Sequence, residues 1–250
     1  MIENKDLTLF TSSDQGYASM LGPTQSKCTS MLLPTHRTRI STLDDLQAEC
    51  DAMRGYDADW YEKMMHRIPM VASVNRVQYI LDHCVGKRVL HLGCNWPVGY
   101  LHKSIAVVAH KLYGVDISVP DGLDDDSLCV HANLDSYIEV HGLTESLKDQ
   151  NIELILCAEI LEHLGNPGNL LNRLKDLQCS ILITVPNAFS RAGYYHATSG
   201  AVEAVNPEHV AYYSYHTLKV LVERYGYSIQ DFKWYNGQPG TAEGLIMVVA

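Results

Sequence analysis

From Lys87 onward the sequence predicts an α/β fold, a three-layer sandwich with a mostly parallel seven-stranded sheet finished by an antiparallel C-terminal strand pair. Three observations predict it. Continuous apolar runs at 153–158 and 180–185 read as strands covered on both faces. Amphipathic helical stretches separate such runs, the pattern of right-handed β-α-β crossovers. After Gly226 the alternation gives way to two strands joined by Gly-Gln-Pro-Gly at 237–240, a turn sequence that returns the chain alongside itself.

The elements follow in order. Residues 1 to about 50 have weak periodicity and many Ser and Thr, and read as a loose arm or lid. A helix is expected from about Leu43 to Met65, carrying Trp60 and Tyr61, with His66 just beyond it. We therefore divide the chain into an arm and helical lid at 1–70 and a core at 71–250. A second helix, about Val71 to Cys84, spaces Val74, Val77, Ile80 and Leu81 at helical intervals. Strands are expected at 88–93, 112–116, 128–131, 153–158 and 180–185, with helices near 98–110, 136–149 and 167–177. The last has Asn166 as N-cap and Pro167 at its first position. Ser214 caps a further helix that buries Leu218, Leu221, Val222 and Tyr225 and is closed by Gly226. Strands at 228–234 and 244–250 complete the sheet.

A length of 250 residues suits one α/β domain with an extension, and 46% apolar residues suffice for a proper core. The net charge of -10, with no basic run, argues against a nucleic-acid partner and for a small or neutral substrate. No window approaches a membrane span, and Met1–Phe10 lacks a basic-then-apolar signal pattern. The seven cysteines are odd in number and include no CxxC pair, so neither a disulfide framework nor a zinc knuckle is expected. A cytoplasmic protein with no membrane role is the expectation, and a homodimer is an open option.

The first core strand ends in Leu92-Gly93-Cys94-Asn95-Trp96, and the second ends in Asp116. A glycine after the first strand lets backbone approach a ligand closely. An acidic residue ending the second can accept both ribose hydroxyls. A dinucleotide is disfavoured, because there is no GxGxxG and Trp96 and Pro97 crowd the place of a pyrophosphate. A sulfonium cofactor without phosphate needs no such cradle.

Val-Leu-His-Leu-Gly-Cys at 89–94, Tyr-Gly-Val-Asp-Ile-Ser at 113–118, Cys-Ala-Glu-Ile-Leu-Glu-His-Leu at 157–164 and Ile-Thr-Val-Pro-Asn at 183–187 resemble the ordered motifs of class I S-adenosylmethionine-dependent methyltransferases. The likeness covers about residues 70–250. It is nearest to the ubiquinone-biosynthesis O-methyltransferases and the sugar- and polysaccharide-associated methyltransferases. The resemblance implies a Rossmann-like sheet and S-adenosyl-L-methionine as cofactor. It places Gly93, with Cys94 and Asn95, at the methionine part, Asp116 at the ribose, Ile117 against the adenine and Asn133 near the adenine amine. Ala158 and Glu159 would line the floor beneath the methyl group. His91 stands where the family has an acidic residue, and Asn95 and Pro97 replace later glycines.

Methyl transfer to a hydroxyl requires that the nucleophile be positioned and relieved of its proton. If residues 159–163 turn as a helix, Glu159, Glu162 and His163 share one face. His209, in Asn-Pro-Glu-His-Val-Ala-Tyr-Tyr-Ser, could join them. Such a set could hold a divalent ion, Mg, Mn, Fe or Zn. It is similar to the metal site of small-RNA terminal 2′-O-methyltransferases. The other readings are His163 or His209 acting as a base without metal, and Glu162 as a mere cap. The long connection from Pro186 to Tyr213 carries Tyr194, Tyr195, His196, Tyr212 and Tyr213, which suit a sugar or aromatic ring. The function expected is methyl transfer to a small-molecule hydroxyl. N- or C-methylation, an RNA terminal 2′-O-methyltransferase and an inactive cofactor-binding scaffold are the alternatives.

Overall fold

A computed structural model describes residues 64–95, 99–118, 128–200 and 205–250, all within the unit Lys63–Ala250. The expected arm, Trp60, Tyr61, Trp96 and Pro97 lie outside the described residues. The strands are β1 (Ser73–Val74), β2 (Arg88–Leu92), β3 (Lys111–Asp116), β4 (Leu128–His131), β5 (Leu154–Ala158), β6 (Ser180–Pro186), β7 (Ile229–Tyr235) and β8 (Gly244–Val249). They form one sheet in the order β1-β7-β8-β6-β5-β2-β3-β4. Pairing is parallel from β6 through β5, β2 and β3 to β4, and antiparallel where β8 lies between β6 and β7.

Among the described residues eight strands, not seven, make the sheet. The extra one is β1, which pairs with β7 in parallel. Its two residues lie in the stretch expected to be helical. Asn75 sits in extended backbone and its side chain accepts from the Gln78 amide, so the helix begins one residue later. The apolar spacing of Val74 with Val77 conceals that boundary.

The helices are α1 (Arg76–Cys84), α2 (Tyr100–Val108), α3 (Tyr137–Leu147), α4 (Pro167–Leu174), α5 (Arg191–Gly200) and α6 (Tyr215–Arg224). Two apolar clusters show how they divide between the faces. Ile80 of α1 and Ile105 of α2 pack with Val89, Leu112, Leu154, Leu156 and Leu182. Leu143 of α3, Leu170 and Leu171 of α4 and Val222 of α6 pack with Leu90, Val115, Ile155 and Ile183. Alternate residues of each central strand thus feed opposite layers. The connection after β6 is not structureless, since α5 occupies its middle.

From β2 the chain proceeds outward through β3 to β4, then returns to β5 on the other side of β2. That reversal opens a crevice at the carboxyl ends of β2 and β5, where open α/β sheets bind their ligands.

Candidate active site

Gly93 follows β2 with φ of 73°, a conformation that costs glycine little. Its amide and that of Cys94 both donate to the Val115 carbonyl, at 2.7 and 3.2 Å. A Cβ at Gly93 would stand 2.0 Å from Ile160 Cδ1, so a larger residue would displace the Ile160 side chain as well as strain the left-handed backbone. Asp116, at the end of β3, is buried. Its Oδ2 accepts the Asn95 amide at 2.8 Å and its Oδ1 accepts the Ser118 amide at 2.9 Å. Oδ1 also accepts the Ser118 hydroxyl at 3.2 Å, and Oδ2 keeps a second lone pair for a hydroxyl. Ile117 beside it is 62% exposed, an apolar face at the strand end.

Asn133 follows β4 and is half-buried; its Oδ1 accepts the Asp135 amide at 3.0 Å. Ala158 ends β5, also half-buried. These residues lie at the carboxyl ends of four adjacent strands. A close-approach glycine, a carboxylate and an apolar face suit a nucleoside sulfonium.

Two residues of the loop behave otherwise than expected. The Asn95 side chain turns to the Ser118 carbonyl, with Nδ2 at 2.8 Å, and staples the loop to the chain beyond β3. The Cys94 thiol is buried 3.4 Å from Cys129 Sγ. His91 is buried against His102, Nδ1 to Nδ1 at 3.2 Å. Burial and the neighbouring imidazole push His91 down to about 3, so this position, acidic in the family the sequence resembles, is neutral here.

The segment after β5 is not an α-helix. Glu159 has φ of 56°, and a 3-10 turn follows at Leu161–His163. The positive φ breaks helical register, so the shared face predicted for 159, 162 and 163 does not form. Glu159 instead accepts from Thr184 Oγ1 at 2.7 Å and the Tyr235 hydroxyl at 3.0 Å, and pairs with Arg76 at 3.2 Å.

Glu162 turns inward, with 1% of its surface exposed. Among the described residues neither carboxylate oxygen has a hydrogen-bond partner. Burial, and then the Glu159 charge, push it up to about 8. Its carbonyl accepts the amides of Val210 and Ala211 at 2.9 and 3.2 Å, which brings His209 beside it. The His163 and His209 rings meet edge to face, centroids 4.7 Å apart. Ligand atoms of Glu162, His163 and His209 all lie within 4.8 Å of one another. Glu159 is not among them. Burial, and then the His163 charge, lower the pKa of His209.

Of the tyrosines in the long connection, Tyr194 and Tyr195 stand exposed on α5, and Tyr212 is half exposed. Tyr213 is a packing residue, buried, with its hydroxyl donating to the Leu161 carbonyl at 3.2 Å. His66 stacks on His216. The sequence reading did not find Arg76, Thr184 and Tyr235 around Glu159. They come from α1, β6 and β7, and no local spacing links them.

Comparison with known proteins follows the same lines. A family model described as a methyltransferase domain matches residues 63–231. The ubiquinone biosynthesis O-methyltransferase of Photobacterium profundum is 26% identical over 137 residues, covering 53% of this chain and 54% of the relative. The chain thus spans about half the length of the curated relatives it matches. A solved SAM-dependent methyltransferase from Archaeoglobus fulgidus superposes with a TM-score of 0.51 at 16% identity, over 70% of this chain and 90% of that one. The small RNA methyltransferase HEN1 gives 0.53 at 17% identity, over 74% of this chain and 26% of that one. At such identities the likeness is one of fold.

Proposed function

The chain belongs to the methyltransferase-domain family of class I S-adenosylmethionine-dependent methyltransferases, and from that premise we propose that it methylates a hydroxyl of a small molecule, a sugar, polysaccharide precursor or natural product, with a divalent ion held by Glu162, His163 and His209. The observation that carries this reading is the Glu162 carboxylate, buried without a hydrogen-bond partner and facing two imidazoles. A buried carboxylate with neither oxygen satisfied is costly, and a cation answers that cost. One carboxylate and two imidazoles suit Mn, Fe or Zn better than Mg. When bound, such an ion lowers the pKa of a ligated hydroxyl and fixes its position.

The chain's own residues do the rest. Gly93 and Asp116 hold the methionine and ribose parts, and Ile117, Asn133 and Ala158 bound the adenine and the floor. Asn95 fixes the loop. Tyr212, two residues beyond the clamped Val210, and the exposed Tyr194 and Tyr195 offer flat faces with hydroxyls to a ring-bearing acceptor. The net charge of -10 favours a neutral acceptor. The hydroxyl preference is supported by the name of the Photobacterium relative. Among the described residues no helix is long and apolar enough to cross a membrane.

A second reading has its own observation. Burial, and then the His163 charge, lower the pKa of His209, which favours the unprotonated imidazole that a general base requires. Chelation separates the two. Under the ion reading, activity on a panel of sugar and phenolic hydroxyls is lost after stripping with chelator and returns with Mn. Activity that ignores chelator but follows one histidine in its pH profile would establish the base and dismiss the ion.

A further inference from the structure

A second cluster of ligating side chains, distinct from that at Glu162, contains sulfur. His91 of β2, Gly114 of β3 and Cys129 of β4 are register partners, so they form one row across three parallel strands on one face of the sheet. His102 descends onto this row from α2, and Cys94 reaches it from the loop after β2. Cys94 Sγ and Cys129 Sγ are 3.4 Å apart, and Cys129 Sγ is 3.6 Å from His102 Nε2. All three ligand atoms lie within 4.8 Å of one another.

From this arrangement we propose that Cys94, Cys129 and His102 form a structural site for a zinc-class divalent ion, which locks the cofactor loop onto β3 and β4. Four features carry it. Two sulfurs and an imidazole nitrogen around a tetrahedral zinc, at about 2.3 and 2.0–2.1 Å, stand roughly 3.6–3.8 Å from one another. The Cys94–Cys129 and Cys129–His102 separations are within a few tenths of an ångström of that, and the third pair lies within 4.8 Å. Second, the middle of the row is glycine. A Cβ at Gly114 would meet Cys129 Sγ at 2.4 Å, Cys94 Sγ at 2.9 Å and His102 Cε1 at 2.9 Å. Glycine weakens a strand interior, and here it leaves the room in which the three side chains converge.

Third, His102 is already oriented as a ligand. Its Nδ1 is 3.2 Å from His91 Nδ1; with His102 donating there, the Nε2 lone pair faces the sulfurs. Metal-bound histidines are oriented by such a bond from the other ring nitrogen, which makes His91 a positioning residue. Fourth, two thiolates and a neutral imidazole leave no net charge on a doubly charged ion, as a buried site requires. Binding releases the two thiol protons to solvent.

Cobalt(II) titration of the reduced, metal-free full chain tests this, because a thiolate-to-cobalt charge-transfer band reports sulfur ligation. The cluster at Glu162 has no sulfur, so the two sites are read separately. We expect one equivalent of cobalt to produce the band and zinc to displace it. Cys94→Ser and Cys129→Ser should each abolish it, while His209→Ala leaves it intact. His91→Phe should weaken zinc by roughly 10–100-fold. A wild-type chain with no thiolate band at saturating cobalt, or a band that survives Cys129→Ser, overturns the site. So does a reduced chain that takes no cobalt through sulfur but yields a Cys94–Cys129 disulfide on oxidation, which would make the pair a redox couple.

Discussion

Glu162→Gln in the ion-free protein separates a buried carboxylate kept for an ion from one that merely packs. In the unfolded chain this carboxyl titrates near 4.5, and in the folded chain it holds its proton up to about 8. Between those values the folded state binds one proton more than the unfolded state. The linkage relation then makes stability fall as pH rises through the window. Each pH unit inside it costs about 1.4 kcal/mol, so from pH 6 to pH 8 the wild type should lose roughly 2–3 kcal/mol through this group. Glutamine has nearly the same shape and no proton to lose, so the variant should lose none of it. Urea unfolding of chelator-stripped protein at the two pH values reads the difference directly. Manganese at 100 times its Kd should return about 2.7 kcal/mol to the wild type at pH 8 and nothing to the variant. Parallel pH profiles, or equal stabilisation of both proteins by manganese, would refute the reasoning.

Asp116→Ala should weaken S-adenosylmethionine by about 1–3 kcal/mol, through loss of charge-assisted hydrogen bonds; calorimetry measures it, and an unchanged affinity would remove Asp116 from the ribose. Leu171→Ala, fully buried in the layer of α3, α4 and α6, should cost about 2–5 kcal/mol in denaturant unfolding. Ser214→Ala removes a capping box at the start of α6 and should cost about 1 kcal/mol, read as a lowered Tm.

The parallel core was legible because strands covered on both faces must be apolar throughout, and because Asn166-Pro167 and Ser214 mark helix starts with their own chemistry. β1 was not legible, since two residues make no period. Helix α5 has no buried residues and therefore no apolar stripe to read. Gly93 and Asp116 were singled out as the ends of the first two core strands, and the structure puts them at the carboxyl ends of the adjacent β2 and β3. The Glu162 cluster was half visible. His163 and His209 were named as partners, but only the hydrogen bonds from 210 and 211 to the Glu162 carbonyl explain how the ends of the 45 intervening residues are brought together. Cys94, His102 and Cys129 come from a loop, a helix and a strand, so no CxxC rule could join them. The available signal was Gly114, a glycine amid an apolar strand.

Glu159 and Glu162 are the sharpest case, because sequence spacing treats them as equivalent and the fold does not. Glu159 holds a left-handed conformation, φ 56°, which costs a residue with a Cβ about 1–2 kcal/mol. Three anchors offset that cost: the Thr184 hydroxyl, the Tyr235 hydroxyl and the Arg76 guanidinium. With its carboxylate so engaged, the residue acts as a corner. It stops β5 abruptly and starts the 3-10 turn that sends Glu162 inward and His163 towards His209. Glu159→Gln keeps the size and can still accept from both hydroxyls, while losing the charge that faces Arg76. It should therefore leave manganese affinity within about threefold of wild type, whereas Glu162→Gln abolishes binding. Activity should fall chiefly through kcat, as the corner loosens and the ion site shifts against the cofactor floor. A loss of manganese affinity in Glu159→Gln as large as that in Glu162→Gln would restore Glu159 to the ligand set and would mean that its bonds to Thr184, Tyr235 and Arg76 give way when the ion binds.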